Sequence, residues 1–484
     1  MNESKKIAFD VSLTFIATSF SFLLGIVLVI ILSRFLGPSD LGVYRLTFTI
    51  FGIINLIATL GLPSAIIKFV AEYKADQQKV NQAVTAATVT SLFIGIGLSF
   101  AFFILSGYLS TIFAIPGLQP ILTLFSPIFP FALVGGVLLG VLNGIRDMKN
   151  FAIATIVQAL SLLTLAAILI YYGFGVFGVV IGNILASIIY CFFLLGISLR
   201  YFRFDFGDYR RTIKDQLSLG GRIVIANSIN QINYQVDIIL IGIFLTAAQV
   251  GYYSIAVTLS TFFWLIPQAI QTITYPAITQ YWTTRSVPSI QMLVNKSIKY
   301  CTVILVPIGL AVSFFSPEVV GIFGAQYGAS IIPTLVLLVG TIINGSVQRP
   351  IGSILYSLGL PQLNLYIFSA AAIANVVLNL WLIPTVGILG ASLASDFSYI
   401  FITVATLYYM VKVTNISVES SWLIKMGFLT LLFVSVYYSV GRISTHLFGI
   451  GLLLLFLAIE WLLLLSKEDR LYFIDLARSG KALL

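Results

Sequence analysis

A single histidine, His446, and only two cysteines, Cys191 and Cys301, occur in a chain of 484 residues. A single imidazole nearly excludes His-based catalysis and His-based metal ligation. Both thiols sit inside apolar runs, which excludes a disulfide framework and a CxxC site. Charge is scarcer still: Asp, Glu, Lys and Arg make up 9% of residues, against about a quarter in soluble domains. No P-loop, H-E-x-x-H or G-x-S-x-G pattern occurs, and no paired carboxylates stand in a polar loop. Enzymatic hydrolysis and nucleotide-driven work therefore find no residues to carry them, and no cofactor is called for.

What the chain has instead is apolar length. Hydrophobic residues are 59% of the total and the mean hydropathy is +1.05. These values exclude a soluble globular protein and define an all-α polytopic membrane protein. Apolar windows separated by Gly, Pro or charge predict about fourteen transmembrane helices. The first, from about Phe9 to Leu32, is too long for a cleavable leader and lacks its small-residue site, so it reads as a retained span. The formal charge of +9 raises the question of nucleic acid, but its distribution excludes it. With loops assigned alternately to two faces, Lys and Arg crowd one face. The other keeps only Arg34, Arg45 and Arg442, while Arg222 and Arg349 fall inside spans. The positive-inside rule then places both termini in the cytoplasm of a multi-pass cell-membrane protein whose surroundings are membrane lipids.

The chain also echoes itself. S-R-F-L-G-P-S-D-L-G-V-Y-R-L at Ser33 to Leu46 joins the first two spans, and F-L-T-A-A-Q-V-G-Y-Y at Phe244 to Tyr253 is its fainter copy. Phe35, Gly42, Tyr44 and Thr49 match Phe244, Gly251, Tyr253 and Thr258 at one offset of 209 residues. Each repeat holds an even number of spans, so the two run parallel about an axis along the membrane normal. The expected organisation is an N-lobe of six spans over 1–199, a basic cytoplasmic linker over 200–216 and a C-lobe of six spans over 217–412. A final pair of spans with a cytoplasmic tail occupies 413–484.

Charges and amides inside lipid are costly and cluster where a wet cavity or a partner receives them. The seventh span carries Arg222, Asn227, Asn230, Gln231, Asn233, Tyr234 and Asp237 within about half the helix circumference. That is one wet face, more than an interhelical hydrogen-bonding seam requires. The tenth span gathers Asn344, Gln348 and Arg349, with Pro350 interrupting the backbone ladder. Stripes of Thr, Ser and Gly mark the first, second and eighth spans, and serve equally as packing faces. Arginine suits phosphate because its planar fork donates two parallel hydrogen bonds and stays charged. Arg34, Arg45, Arg222 and Arg349 are thus the candidate anion-binding residues, and Asn227, Asn230, Gln231, Tyr234 and Gln348 the candidate contacts to a polar head group. Asp237 and Asp396 are the carboxylates deepest in spans, suited to bind a coupling cation or proton or to pair with an arginine.

Three stretches carry a family resemblance: Ser33 to Leu46, G-L-P-S-A-I-I-K-F-V-A-E-Y at Gly61 to Tyr73, and Y-S-L-G-L-P-Q-L-N-L-Y at Tyr356 to Tyr366. In these the chain resembles the multidrug/oligosaccharidyl-lipid/polysaccharide exporter superfamily, and within it the O-antigen-type polysaccharide flippases. The resemblance implies two pseudo-symmetric six-helix lobes plus two C-terminal helices, and a monomer working by alternating access. It implies a substrate, a polyprenyl-phosphate- or pyrophosphate-linked oligosaccharide, moved from the cytoplasmic to the outer leaflet, with glycan-assembly enzymes as partners. Cavities in several branches are cationic, a role that falls here to Arg34, Arg45, Arg222 and Arg349. Cation-coupled multidrug exporters of the same superfamily are the alternative, although they usually stop at twelve helices. A glycan polymerase or ligase would need large outer loops that this chain lacks. Related lipid II flippases use their last helix pair as a groove for the lipid tail. The run Gly449 to Leu465 suits such a groove, with Glu460 as a departure from it.

Overall fold

The computed structural model describes residues 3–233, 235–440 and 446–481, with side chains described for 9–10, 12–224, 235–440 and 446–475. Every regular element among these residues is a helix, as a chain in hydrocarbon requires when it must satisfy its backbone groups internally. Helix α1 runs Glu3–Ala58 and breaks at Gly37, whose φ of 75° and ψ of 174° are followed by Pro38. Its apolar part, Ser12–Ala58, has 47 residues, more than twice the length that crosses a hydrocarbon core of about 30 Å at about 1.5 Å per residue. The break therefore falls where the sequence places the junction of its first two spans.

Helices α2 (Leu62–Glu72), α3 (Gln77–Phe113), α4 (Leu118–Phe125), α5 (Ile128–Ile145), α6 (Met148–Tyr171) and α7 (Gly175–Ser198) follow. Asp76 caps α3 by accepting from Lys79 N, and Asp147 caps α6 by accepting from Asn150 N, each satisfying a donor that the first turn leaves open. Next come α8 (Tyr209–Asn233), α9 (Val236–Phe244), α10 (Ala247–Phe262), α11 (Leu265–Thr283), α12 (Val287–Phe314), α13 (Ser316–Gly321) and α14 (Ile331–Ile343). A π turn at Asn344–Gln348 and a 3-10 turn at Arg349–Ile351 lead to α15 (Ile354–Ser357), α16 (Pro361–Val386) and α17 (Ile388–Thr414). The chain ends with α18 (Ser420–Val440), α19 (His446–Ile459) and α20 (Lys467–Lys481).

Among the described residues ten helices are long and apolar enough to cross a membrane, or twelve if each of two bent pairs is one span. The sequence expectation is about fourteen, and the difference has a local cause at two points. Helix α1 counts once although it carries two expected spans, and the expected seventh span is divided between α8 and α9.

The chain forms two compact units. One comprises Met1–Thr258, Ile322–Pro333 and Phe368–Ser395; the other comprises Leu259–Gly321, Thr334–Ile367 and Asp396–Leu484. In the first, Leu62, Ile66 and Val70 of α2 meet Val84 of α3, Val137, Leu138 and Val141 of α5 and Leu194 of α7 in a buried core. The opposite face of α3 exposes Phe93, Phe100 and Tyr108, the inside-out pattern of a helix whose solvent is lipid.

The two copies of the repeated motif touch within this unit. A Cβ added to Gly42 would overlap the carbonyl oxygen of Ala247, and one added to Gly251 would overlap that of Pro38. Positions 38 and 247, like 42 and 251, are separated by 209 residues. This reciprocal contact is what a local two-fold axis between the two segments produces. Glycine at both positions lets the backbones of α1 and α10 meet directly, the close approach that drives helix association where hydrophobic driving force is missing.

In the second unit, Val306, Leu310 and Phe314 of α12 pack with Met426 and Phe433 of α18 and Phe456 of α19. Its C-terminal helix is fastened by a capping box: Asp469 N donates to Ser466 Oγ, and Ser466 N donates to Asp469 Oδ2. Lys299 Nζ also donates to Asp469, and both side chains are largely buried. Burial pushes the Asp469 carboxyl up, but the bonds from Lys299 and Ser466 outweigh it and hold it below the usual carboxylate range. A carboxyl depressed in the fold contributes stability above its unfolded value of about 4, and that contribution is lost as pH falls through the depressed value.

Two outcomes follow for the purified full chain in detergent. Gly42→Ala should cost about 1–3 kcal/mol and lower the melting temperature, while Gly97→Ala, with nothing within 4 Å of its added Cβ, should not; equal melting temperatures would refute the contact. Asp469→Asn should raise amide exchange in α20 about thirtyfold, the loss of a charged hydrogen bond of about 2 kcal/mol, and leave α3 protected.

Candidate functional site

Arg34 and Arg45 both stand on α1, either side of or beyond its break, in the first unit. Arg34 is exposed, and its Nε donates to the carbonyl of Ile322 at 2.8 Å. Arg45 lies in the segment packed on α10 and donates from Nη2 to Thr258 Oγ1 at 2.7 Å. Its Nε is buried without a partner, and among the described residues no carboxylate comes within ion-pair distance of it. A guanidinium in that position is a fixed positive charge whose countercharge has to come from elsewhere.

Arg222 is exposed on α8. Asn227, Asn230, Gln231 and Tyr234 lie outside the residues whose side chains are described.

Asp237, the second residue of α9, is 3% exposed. It accepts from Tyr253 Oη of α10 at 2.7 Å, from Asn379 Nδ2 of α16 at 2.7 Å and from Ser395 Oγ of α17. Asn379 also donates to Asn375 Oδ1 at 3.0 Å, which continues the network one turn along α16. All these donors are neutral, and among the described residues no arginine or lysine reaches Asp237. Asn379 Oδ1 remains buried without a partner. A carboxylate so enclosed is complementary to a proton or a small monovalent cation, with amide and hydroxyl oxygens completing the shell. No group of three or more His, Cys, Asp or Glu residues able to hold a metal exists among the described residues.

In the second unit, Arg349 opens the 3-10 turn after the π segment. Its guanidinium lies 3.5 Å from the centroid of the Trp264 ring, stacked so that the indole face balances part of its charge. Trp264 in turn meets Tyr399 edge-on, with centroids 5.9 Å apart. The irregular backbone is held by Thr274 Oγ1, which donates to Pro350 O at 2.7 Å. Asn344 Nδ2 donates to Tyr399 O at 3.3 Å and to Thr403 Oγ1 at 3.2 Å, and comes within 3.5 Å of Gln348 Oε1. Pro350 and the π turn explain why a helix break coincides with the polar residues, since π turns and prolines open the backbone ladder at functional positions. Asp396 accepts from Gly340 N at 3.0 Å, and among the described residues it too meets no arginine.

Thus Arg45 meets Thr258 and Gln348 meets Asn344, while Asp237 and Asp396 keep neutral partners. Sequence reasoning missed Trp264, Tyr253, Asn375, Asn379 and Ser395. The spacing of Asn375 and Asn379, one turn apart in an apolar helix, was the available signal for the Asp237 network.

Residues 31–332 match the model of the Polysacc_synt_3 family, described as polysaccharide biosynthesis protein. The chain is 26% identical over 391 residues to "Probable flippase AglR" of Haloferax volcanii, covering 77% of this chain and 76% of that protein. It is 30% identical over 187 residues to "Probable low-salt glycan biosynthesis flippase Agl15" of the same organism, a match spanning 38% of this chain and 39% of that protein. Among solved structures the fold is similar to the lipid II flippase MurJ in an inward closed conformation. The TM-score is 0.75 at 15% identity, covering 93% of this chain and 98% of that one.

Proposed function

The chain belongs to the polysaccharide biosynthesis protein family, within the multidrug/oligosaccharidyl-lipid/polysaccharide exporter superfamily, and on that footing we propose that it is a lipid-linked oligosaccharide flippase. In this reading a polyprenyl-phosphate- or pyrophosphate-linked oligosaccharide moves from the cytoplasmic to the outer leaflet for cell-surface glycan synthesis. The movement is alternating access of the two six-span repeats, 1–199 and 217–412, and the lipid tail stays in the bilayer.

The observation that carries the reading is Arg45: a positive charge within the fold whose near partner is the Thr258 hydroxyl, with a buried Nε left open. An anionic phosphate supplies what it lacks, and the planar fork matches phosphate oxygens. Arg349, backed by Trp264, is the equivalent candidate in the second unit. Arg34 and Arg222, being exposed, suit first encounter with the head group. Asn227, Asn230, Gln231, Tyr234 and Gln348 complete the assignment as sugar contacts.

The Asp237 network supports cation or proton coupling in the same transporter. The sequence has no P-loop, so in this reading work for repeated cycles comes from an ion gradient, the membrane potential or downstream consumption of the product. Asp396, held by a single backbone donor, is the secondary candidate.

In cells depending on this protein, Arg45→Ala should abolish surface glycan export at unchanged protein level, and Arg45→Lys should restore part of it; full export by Arg45→Ala would remove the phosphate role. For coupling, the purified wild type should melt at a higher temperature in sodium than in choline, or show flipping that depends on a proton gradient. Asp237→Asn should erase whichever dependence is found, and persistence of that dependence in the variant would place coupling elsewhere.

A further inference from the structure

The α8–α9 junction presents two polar residues to two different places. Asp237 enters the neutral network described above. Gln235, which immediately precedes α9, lies instead against Gly52 of α1. A Cβ added to Gly52 would stand 3.2 Å from Gln235 Oε1 and 3.6 Å from its Nε2, so the amide packs directly on the glycine and a methyl group there would push it by a few tenths of an ångström.

Gln235 Oε1 is buried without a hydrogen-bond partner. So is Oδ1 of Asn55, three residues beyond Gly52, and so is Nε of Arg45, seven residues before it. Spacings of three and seven keep all three positions on one face of the helix. Buried polar atoms without partners are uncommon in folded proteins. Two amide oxygens along a face that also carries a guanidinium N–H are complementary to a ligand offering hydroxyl donors next to an anion.

We propose that Gln235, with Asn55, reads the hydroxyl groups of the sugar attached to the phosphate, and so determines which head groups the protein accepts. The inference rests on the flippase reading above and adds to it a specificity residue that lies two positions from the coupling carboxylate. Gln235 immediately precedes α9 and Asp237 lies in its first turn.

The test measures binding to the detergent-purified full chain of two probes, farnesyl pyrophosphate and farnesyl-pyrophosphoryl-N-acetylglucosamine. The wild type should prefer the sugar-bearing probe. Gln235→Ala should reduce that preference about tenfold, the scale of one to two hydrogen bonds, while its affinity for farnesyl pyrophosphate and its melting temperature stay unchanged. Gly52→Ala, which removes no polar group and only displaces the amide, should reduce the preference in the same direction. If both variants keep the wild-type preference, Gln235 does not read the sugar, although the flippase reading stands. Equal wild-type affinity for the two probes overturns the sugar assignment alone. Failure of the wild type to bind either probe overturns the flippase reading and this inference with it.

Discussion

A charge in hydrocarbon has to be answered by a countercharge, a proton, water or a ligand, and this constraint organises the polar residues of the whole chain. Where the protein answers a charge itself, the result is structural. Lys299 meets Asp469 near the end of the last transmembrane helix and fastens α20. Where no opposite charge is supplied, only neutral groups stand near the charge. Arg45 has a hydroxyl neighbour and an open Nε, and Asp237 has three neutral donors; both lie in the same compact unit.

Backbone irregularity follows the same division. Helix α7 is regular and carries no charged residue. The breaks at Gly37, at the α8–α9 junction and at Asn344–Ile351 stand beside Arg34, beside Gln235 and Asp237, and beside Gln348 and Arg349. Interrupting a helix in lipid leaves peptide groups to be satisfied, which is tolerated where side chains or a cavity receive them. Thr274 performs that service for Pro350. The broken segments are thus the parts of the ladder where polar side chains gather.

The Gly42–Gly251 contact gives the internal repeat a physical meaning. Two copies of a short motif meet backbone to backbone, each glycine against the residue that the repeat makes equivalent in the other copy. The second copy lacks both arginines, since Phe244 follows Ile243 where Phe35 follows Arg34, and Ser254 stands in place of Arg45. A symmetric contact therefore carries an asymmetric charge. The Arg45 to Thr258 bond crosses this same contact, so one of the charges that only the first copy carries sits where the two copies join.

From the sequence alone the membrane class, the all-helical fold, the Ser33 to Leu46 junction and the candidate charges could be read, because each depends on composition or local periodicity. Mean hydropathy needs no partner, and an arginine in an apolar run is conspicuous on its own. Arg45, Arg349 and Asp237 were visible in that way. What only the tertiary structure decided is which neighbours those charges have. Asn379 and Ser395 reach Asp237 across 142 and 158 residues of chain, and Trp264 lies beneath Arg349 from another helix. Gln235 packs against Gly52, far away in sequence. Hydrophobic periodicity specifies which face of a helix is wet, but the partner on that face is set by packing between distant helices, and no local pattern encodes it.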